Sequence, residues 1–488
     1  MFLDERTSLT SSFALRFSFS ERRLLLRLGD LLLVTASIGG TLWFWFRLNG
    51  HPPTLEIVQS QAIWIALVFL GWPIWLFFND LYNLRWAMQA AHAARIIIFG
   101  AIVLTMTYLV IFFITARVPA FEPLAGFVAN REPLRLAPVL SIGVSTTILL
   151  TWRTGYALLL KDTRRRLIVL GADPSVFSMI QAIDEIHGSQ YRFVGVVHDQ
   201  IRVNEADSAK LPILGRYDQL VQLATQYQVD EIAVATGSQI AGSLVTALMD
   251  CHERGIMITP LALIYEQTVG RVAVDHIGNE WYLALPIQQS GMTTLFRVTK
   301  RVMDLAIAAL LGGLFLLVLP FVAVAIKLDS RGPVFYLQER VGLHGRPFQV
   351  IKFRSMIADA EHDGHARWAV KGDSRITRVG AFLRQTRLDE LPQVMNVLRG
   401  DMSLVGPRPE RQQFIEQLQH QIPFYRARLA VKPGLTGWAQ INYGYGATVE
   451  DALIKLQYDL FYIRHQSPWF DLTIILRTIR VVLRMQGQ

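Results

Sequence analysis

A chain of 488 residues that is 52% hydrophobic and only 18% charged is too apolar for a single soluble domain, and its membrane segments have to be sought first. Its one cysteine, Cys251, excludes an intramolecular disulfide framework and a cysteine-rich zinc site, and the bulk of the protein is therefore expected in the cytosol. The net charge of +9 suits an anionic membrane surface and bound phosphates; it would equally suit nucleic acid, so charge alone does not choose.

Apolar stretches long enough to cross a bilayer run through residues 28–45, 61–78, 96–115 and 136–160, and predict a membrane α-helical bundle of four helices over residues 1–163. A cleaved signal peptide is the rival for the first stretch. Twenty residues precede Glu21-Arg22-Arg23, however, and no small-residue cleavage site follows, so the stretch reads as an anchor. Arg22, Arg23 and Arg27 precede the first helix, Arg85 and Arg95 lie between the second and third, and Lys161, Arg164, Arg165 and Arg166 follow the fourth. This bias puts both ends of the bundle in the cytoplasm, against the weaker pull of the basic residues between Arg117 and Arg135.

Residues 164–290 change texture. Strand-like Arg166-Leu-Ile-Val-Leu-Gly171, Phe193-Val-Gly-Val-Val197 and Glu231-Ile-Ala-Val-Ala235 alternate with helical stretches, the pattern of an α/β domain with a parallel sheet. A strand ending in Gly171 and feeding a helix suggests a dinucleotide fold. The glycines that let a pyrophosphate approach the backbone are missing from Gly171-Ala-Asp-Pro-Ser-Val, so a degenerate Rossmann-like domain without bound dinucleotide is expected.

A fifth apolar run, 302–326, is interrupted by Asp304 and Pro320 and flanked by Lys300, Arg301, Lys327 and Arg331. If it crossed the bilayer, everything after it would lie outside the cell; broken at Pro320, it would enter and leave on one face. A re-entrant membrane helix is therefore expected, with an ordinary proline-kinked span as the alternative. Near the C-terminus Arg477, Arg480 and Arg484 share a helical face beside Ile475, Ile479, Val482 and Leu483, which suits either a helix lying in the lipid interface or one packed on the core with a solvated basic face.

Polar chemistry collects between residues 352 and 459, in Lys352-Phe-Arg-Ser-Met356, Arg384-Gln-Thr-Arg-Leu-Asp-Glu-Leu-Pro-Gln-Val-Met-Asn396, Gly400-Asp-Met-Ser-Leu-Val-Gly-Pro-Arg-Pro409 and Lys432-Pro-Gly-Leu-Thr-Gly437. Arginine forks, lysine charges and Gly-Pro turns form an inventory for holding phosphate oxygens. Asp389 and Glu390 precede Pro392, which is tolerated in a first helical turn, so the pair is expected to open a helix through Gln393 and Asn396. A helix start favours ionised carboxylates and offers N–H groups to phosphate. With Asp389 as nucleophile, attack on phosphorus gives an acyl phosphate, and Glu390 can hold a Mg2+ ion that neutralises a diphosphate. The bland reading is an Asp389 helix cap with a solvated Glu390.

The stretch from Lys300 onward resembles the bacterial sugar transferase family of polyprenyl-phosphate hexose-1-phosphate transferases, the monotopic phosphoglycosyl transferases. The motifs that carry the likeness are Lys300-Arg-Val-Met-Asp304, Gly332-Pro-Val-Phe335, Gln338-Glu-Arg-Val-Gly342, Lys352-Phe-Arg-Ser-Met356, Leu388-Asp-Glu-Leu-Pro-Gln393, Gly400 to Pro409 and Lys432 to Gly437. The upstream helices and Rossmann-like domain resemble the family's long form. The resemblance implies an α-rich catalytic domain over residues 296–488, a UDP-hexose donor, an undecaprenyl phosphate acceptor and Mg2+. It implies Asp389 as nucleophile, Glu390 as the magnesium-associated carboxylate, and Arg408 at the phosphates. Lys352, Arg354, Arg384, Arg387 and Gln393 are further candidates for substrate contacts, and Asp459 is expected near the site. Leu319-Pro320 stands where short members often have Ser-Pro, and Gly437-Trp-Ala-Gln-Ile-Asn-Tyr-Gly-Tyr-Gly446 resembles the exopolysaccharide subgroup, which favours glucose or galactose. The implied setting is the cytoplasmic face of the bacterial inner membrane, in contact with lipid, with a homodimer by analogy to the long form.

Three rival functions compete. An NAD-dependent nucleotide-sugar epimerase or dehydratase needs a complete glycine fingerprint and a Tyr-x-x-x-Lys pair; a scaffold for polysaccharide export needs only structural carboxylates; a nucleic-acid partner is not expected, because no reading module accompanies the charge.

Overall fold

The computed structural model describes residues 19–49, 61–82, 84–117, 136–159, 165–171, 174–186, 191–199, 211–235, 242–274, 294–357, 373, 375–422, 424–444, 446 and 448–483. The chain divides into two compact units, residues 1–165 with 186–192, and residues 166–185 with 193–488.

The first unit holds helices α1 (Phe19–Asn49), α2 (Ala62–Phe78), α3 (Ala90–Arg117) and α4 (Ala137–Leu159) at the four expected positions. By length and hydropathy only α1 and α3 among them qualify as spans: α2 has 17 residues, and α4 carries Arg153. Trp64, Trp72, Leu76, Ile97 and Leu149 make the core, while Leu32, Trp43, Phe99, Phe113 and Leu158 face outward. Apolar side chains on both surfaces are what a bundle in lipid needs, since its outside is as apolar as its inside. Several polar groups in the core are paired: Trp72 Nε1 donates to Ser145 Oγ at 2.8 Å, Arg153 is ion-paired with Asp30, and Arg153 also donates to the Leu81 carbonyl at 2.8 Å. The basic residues Lys161 and Arg164, and the loop after Arg117, lie outside the described residues.

The second unit begins with a five-stranded sheet of order β3-β2-β1-β4-β5, made by β1 (Arg165–Leu170), β2 (Tyr191–Val197), β3 (Ile213–Gly215), β4 (Glu231–Val234) and β5 (Met257–Pro260). The pairs β2·β3, β1·β4 and β4·β5 are parallel, as the alternation with helices α5 (Pro174–Asp184), α6 (Leu220–Gln226) and α7 (Gly242–Glu253) requires. This is a Rossmann-like arrangement. Beyond β5 the chain passes without a loop into α8 (Leu261–Val269), capped by Gly270 in the left-handed region at φ 77°. Val272 and Val274 then pack with Leu456 and Leu460 of the C-terminal region, so the chain joins the second core well before the expected boundary near residue 290, which lies outside the described residues.

One helix, α9 (Thr294–Asp329), runs for 36 residues. The expected break at Pro320 is not a turn here: the helix continues through it, because a proline removes one backbone donor and crowds one carbonyl, a defect that a long packed helix accommodates. Asp304, Ala308, Phe315, Val322 and Ile326 form its buried stripe, whereas Leu310, Leu316, Phe321, Val324 and Leu328 are exposed. Both ends are tied to the same domain. Near the start, Lys300 Nζ meets Asp471 at 2.5 Å, and Asp304 accepts from Ser403 Oγ at 2.8 Å and Leu404 N at 3.1 Å. At the far end Asp329 accepts from Val379 N at 2.9 Å.

Against α9 lie an antiparallel hairpin, β6 (Phe335–Val341) with β7 (Pro347–Phe353), then α10 (Arg378–Gln385), a 3-10 turn (Leu388–Gln393), α11 (Val394–Arg399), and the short parallel pair β8 (Ser403–Val405) and β9 (Gly434–Thr436). Helices α12 (Gln412–Gln421), α13 (Trp438–Asn442), α14 (Val449–Arg464) and α15 (Pro468–Leu483) complete the unit. Phe315 of α9 packs on Phe353, which stacks on Phe335 with centroids 5.6 Å apart, so the hairpin is fixed to the long helix by aromatic contact.

Candidate active site

The Asp-Glu pair sits in the 3-10 turn rather than in the α-helix expected there; Pro392 falls late in the turn, and the α-helix starts only at Val394. Entry to the turn goes through Arg387, held at φ 60°, a left-handed conformation that costs a non-glycine residue about 1 kcal/mol or more and that the surrounding structure has to hold in place. Asn396, fully buried, ties α11, the helix that follows the turn, to β7. Its side chain donates to the Gln349 carbonyl at 2.7 Å and accepts from Ile351 N at 3.1 Å, extending the free edge of β7 as a backbone amide would.

Lys352 on β7 thereby faces Glu390, with Nζ at 3.2 Å from Oε1. From the other side Arg408 donates to the same oxygen at 2.6 Å. Glu390 is desolvated by burial, yet the Arg408 and Lys352 charges win and hold its carboxyl well below the usual range. Asp389 is the opposite case. Burial, reinforced by the adjacent Glu390 charge, pushes its carboxyl up to about 6, and its Oδ1 finds no hydrogen-bond donor among the described residues. One carboxylate is locked between two cations; its neighbour is basic, buried and half unsatisfied, which is a poor arrangement for stability and a good one for nucleophilic attack.

Arg408 lies in the Gly-Pro-Arg-Pro turn, and the backbone of that turn is gripped on both flanks. Gly406 N donates to the Thr436 carbonyl and Gly434 N to the Pro407 carbonyl, each at 2.9 Å. The two strands approach so closely that a Cβ on Gly406 would lie 2.3 Å from the Lys432 carbonyl oxygen. Arg340 of β6 donates to the Pro409 carbonyl at 3.1 Å, and Arg428 donates to the Arg408 carbonyl at 3.0 Å. Arg428 is in turn paired with Asp459 at 2.8 Å, both side chains buried. Val341, Pro407, Arg408, Pro409, Arg428 and Pro433 are among the residues lining a small cleft around this turn.

The structure therefore brings Asp389, Glu390, Lys352 and Arg408 together, and sets Asp459 one layer behind, holding Arg428. Arg384 and Arg387 flank the pair and act through their charges, Arg384 on Asp389 and Arg387 on Glu390; Gln393 is buried at the end of the turn. Arg354 goes elsewhere. Its guanidinium donates to the Ser330 and Arg331 carbonyls at 2.8 and 2.9 Å, closing the end of α9, so its charge serves that helix end and not the carboxylate pair. Lys300, Arg301 and Lys432 are likewise engaged with the backbone carbonyls of Val405, Val397 and Gly400. Sequence reasoning missed Arg428, which stands in no quoted motif, and passed over Arg340, which does.

Among the described residues no three His, Cys, Asp or Glu side chains gather as a metal cage. Two adjacent carboxylates, one with an unpartnered oxygen, do fit a magnesium ion of the kind that takes one or two carboxylates and completes its shell with phosphate oxygens and water.

A bacterial sugar transferase family model matches residues 295–485, and a CoA-binding domain model matches residues 136–262. The chain is 42% identical over 253 residues to a UDP-N-acetylgalactosamine-undecaprenyl-phosphate N-acetylgalactosaminephosphotransferase of Aeromonas hydrophila, a match covering 52% of this chain and 58% of that protein. It is 47% identical over 186 residues to a UDP-glucose:undecaprenyl-phosphate glucose-1-phosphate transferase of Caulobacter vibrioides, covering 38% of this chain and 69% of the relative. A protein of the same description from Klebsiella pneumoniae is 29% identical over 473 residues, covering 89% of this chain and 96% of its own length.

Proposed function

The chain belongs to the bacterial sugar transferase family, and on that premise we propose that it transfers a hexose 1-phosphate from a UDP-hexose to undecaprenyl phosphate, releasing UMP, as the first membrane step of a cell-surface glycan. The observation that carries the proposal is Asp389, buried and basic with an unpartnered oxygen, beside a Glu390 held ionised by Lys352 and Arg408.

The Asp389 carboxylate attacks the sugar-bearing phosphorus, forming an acyl–phosphate bond, and the bond from that phosphorus to the bridging oxygen breaks, its electron pair leaving with UMP. A phosphate oxygen of the acceptor then attacks the same phosphorus and expels the Asp389 carboxylate, giving the diphosphate-linked lipid. No net proton is needed in either half. Arg408 and Lys352 offer positive charge where the diphosphate must sit, and the grip on the Gly-Pro-Arg-Pro turn fixes Arg408 before substrate arrives, which is how electrostatic stabilisation becomes effective. Glu390 and the bound phosphates would hold magnesium, which when present neutralises charge on the leaving diphosphate.

The two ends of α9 support a monotopic placement. Asp304 and Asp329 would be about 37 Å apart along a straight helix at 1.5 Å per residue, more than the roughly 30 Å thickness of a bilayer's hydrocarbon core. A membrane crossing between them would bring polar segments of one domain to opposite faces, since Asp304 holds Leu404 and Asp329 holds Val379. The exposed leucines and Phe321 of α9 instead suit a helix sunk into one leaflet, at the inner membrane's cytoplasmic face, where a soluble donor and a lipid acceptor can meet.

Nanodisc-embedded protein with magnesium and undecaprenyl phosphate, offered UDP-glucose, UDP-galactose and UDP-N-acetylgalactosamine in turn, should release UMP from one of them. Asp389→Asn should release none. Absence of UMP with every donor, in folded protein, would leave the scaffold reading in possession.

A further inference from the structure

Resting on that reading, we propose that Glu266, a residue of the Rossmann-like module, is a positioning residue for the phosphate-handling turn, acting through helix α14 on Arg408. Glu266 is 3% exposed, and each of its oxygens has a partner on the end of α14: the Arg464 guanidinium at 2.9 Å and the His465 imidazole at 2.9 Å. A buried carboxylate is destabilising unless paired, and here its partners sit at a helix C-terminus, where positive side chains are already favoured. The contact is therefore specific in place and orientation.

The same segment grips α14 a second time. Val272 N donates to the Gln457 carbonyl at 3.1 Å, and Val272 is buried with Leu456 and Leu460. Between them Trp438 donates its indole N–H to the Gly270 carbonyl at 2.7 Å and stacks on Phe461 of α14. Helix α14 is thus held at 457 and at 464–465 by one short stretch that starts directly from β5, and these two holds bracket Asp459. From Asp459 the contacts run to Arg428 at 2.8 Å, to the Arg408 carbonyl at 3.0 Å, and through the Arg408 side chain to Glu390 at 2.6 Å. A helix moves as a body, so loosening its last turn shifts Asp459 and relaxes the backbone that aims Arg408.

The test compares wild type, Glu266→Gln and Arg464→Met in nanodiscs by amide hydrogen exchange and by UMP release. In both variants the 405–411 amides should exchange severalfold faster, although none of them touches residue 266. UMP release should fall about five- to tenfold, with part of the loss appearing as a raised KM for the UDP-sugar. Faster exchange confined to 261–274 and 457–465, with 405–411 and the kinetics unchanged, would reduce Glu266 to a local brace and overturn the proposal. Should wild type itself release no UMP while the 405–411 amides still respond, the coupling stands and the transferase reading falls.

Discussion

Replacing Asp389 by asparagine separates what the carboxylate does for chemistry from what it costs the fold. Burial and then the Glu390 charge raise its pKa from 3.8 to about 6. A carboxyl raised that far costs the ionised folded state about 3 kcal/mol at neutral pH. Because the folded-state value is the higher one, the folded chain keeps a proton between 3.8 and about 6 that the unfolded chain has lost, and stability falls as pH rises through that window. Asparagine escapes this penalty at every pH, but it brings an amide into a site where Asp389 Oδ1 has no donor, at a cost of about 1–3 kcal/mol. The amide cost does not depend on pH and the charge penalty does. The variant's melting temperature relative to wild type, followed by tryptophan fluorescence, should therefore climb between about pH 4 and about pH 8 by the equivalent of about 2 kcal/mol, while UMP release is lost throughout. A stability gap that stays constant with pH refutes the burial argument; UMP release by the variant refutes the nucleophile.

In wild type, kcat/KM for the UDP-sugar should rise with pH through about 6 and level off as Asp389 ionises, and a flat profile from about pH 5 upward would contradict the assignment. Arg408→Ala should cost about 10²–10³-fold in kcat by removing the closer cation from Glu390 and the phosphates, with Arg408→Lys intermediate in the same UMP assay. Arg354→Ala should behave differently, destabilising the protein by about 2–4 kcal/mol through the lost α9 carbonyl contacts while leaving KM unchanged in whatever fraction stays folded. Gly406→Ala should abolish both activity and a cooperative melt, since its Cβ has no room between β8 and β9.

The elements with strong local patterns were legible in the sequence, and those defined by partners were not. Strands over 165–170, 191–197 and 231–234 fell where alternation with helices indicated them, because they are buried apolar runs that read the same in any context. The edge strands at 213–215 and 257–260 are three and four residues long and carry too little pattern to register. Asp389, Glu390, Lys352 and Arg408 were readable because density of charge around Gly-Pro turns is itself a signal. What that density could not divide was charge facing the carboxylates from charge facing backbone. Arg354, Lys300 and Lys432 carry the same charge as Lys352, and only the fold decides that backbone carbonyls, with Asp471 in the case of Lys300, claim them. Glu266 was invisible for the plainest reason: its partners lie 198 and 199 residues away.

The Asp30–Arg153 pair in the first unit bears on how the protein is made. The two residues are 123 positions apart, and each is buried against the other. At about 5–20 residues per second, a ribosome reaches Arg153 roughly 6–25 s after Asp30. Throughout that interval the Asp30 carboxylate lacks the guanidinium that pairs with it in the finished unit. The full neutralisation of Asp30 thus waits on the fourth helix: α1 and α4 are joined by a charge contact that cannot form until residue 153 has been made.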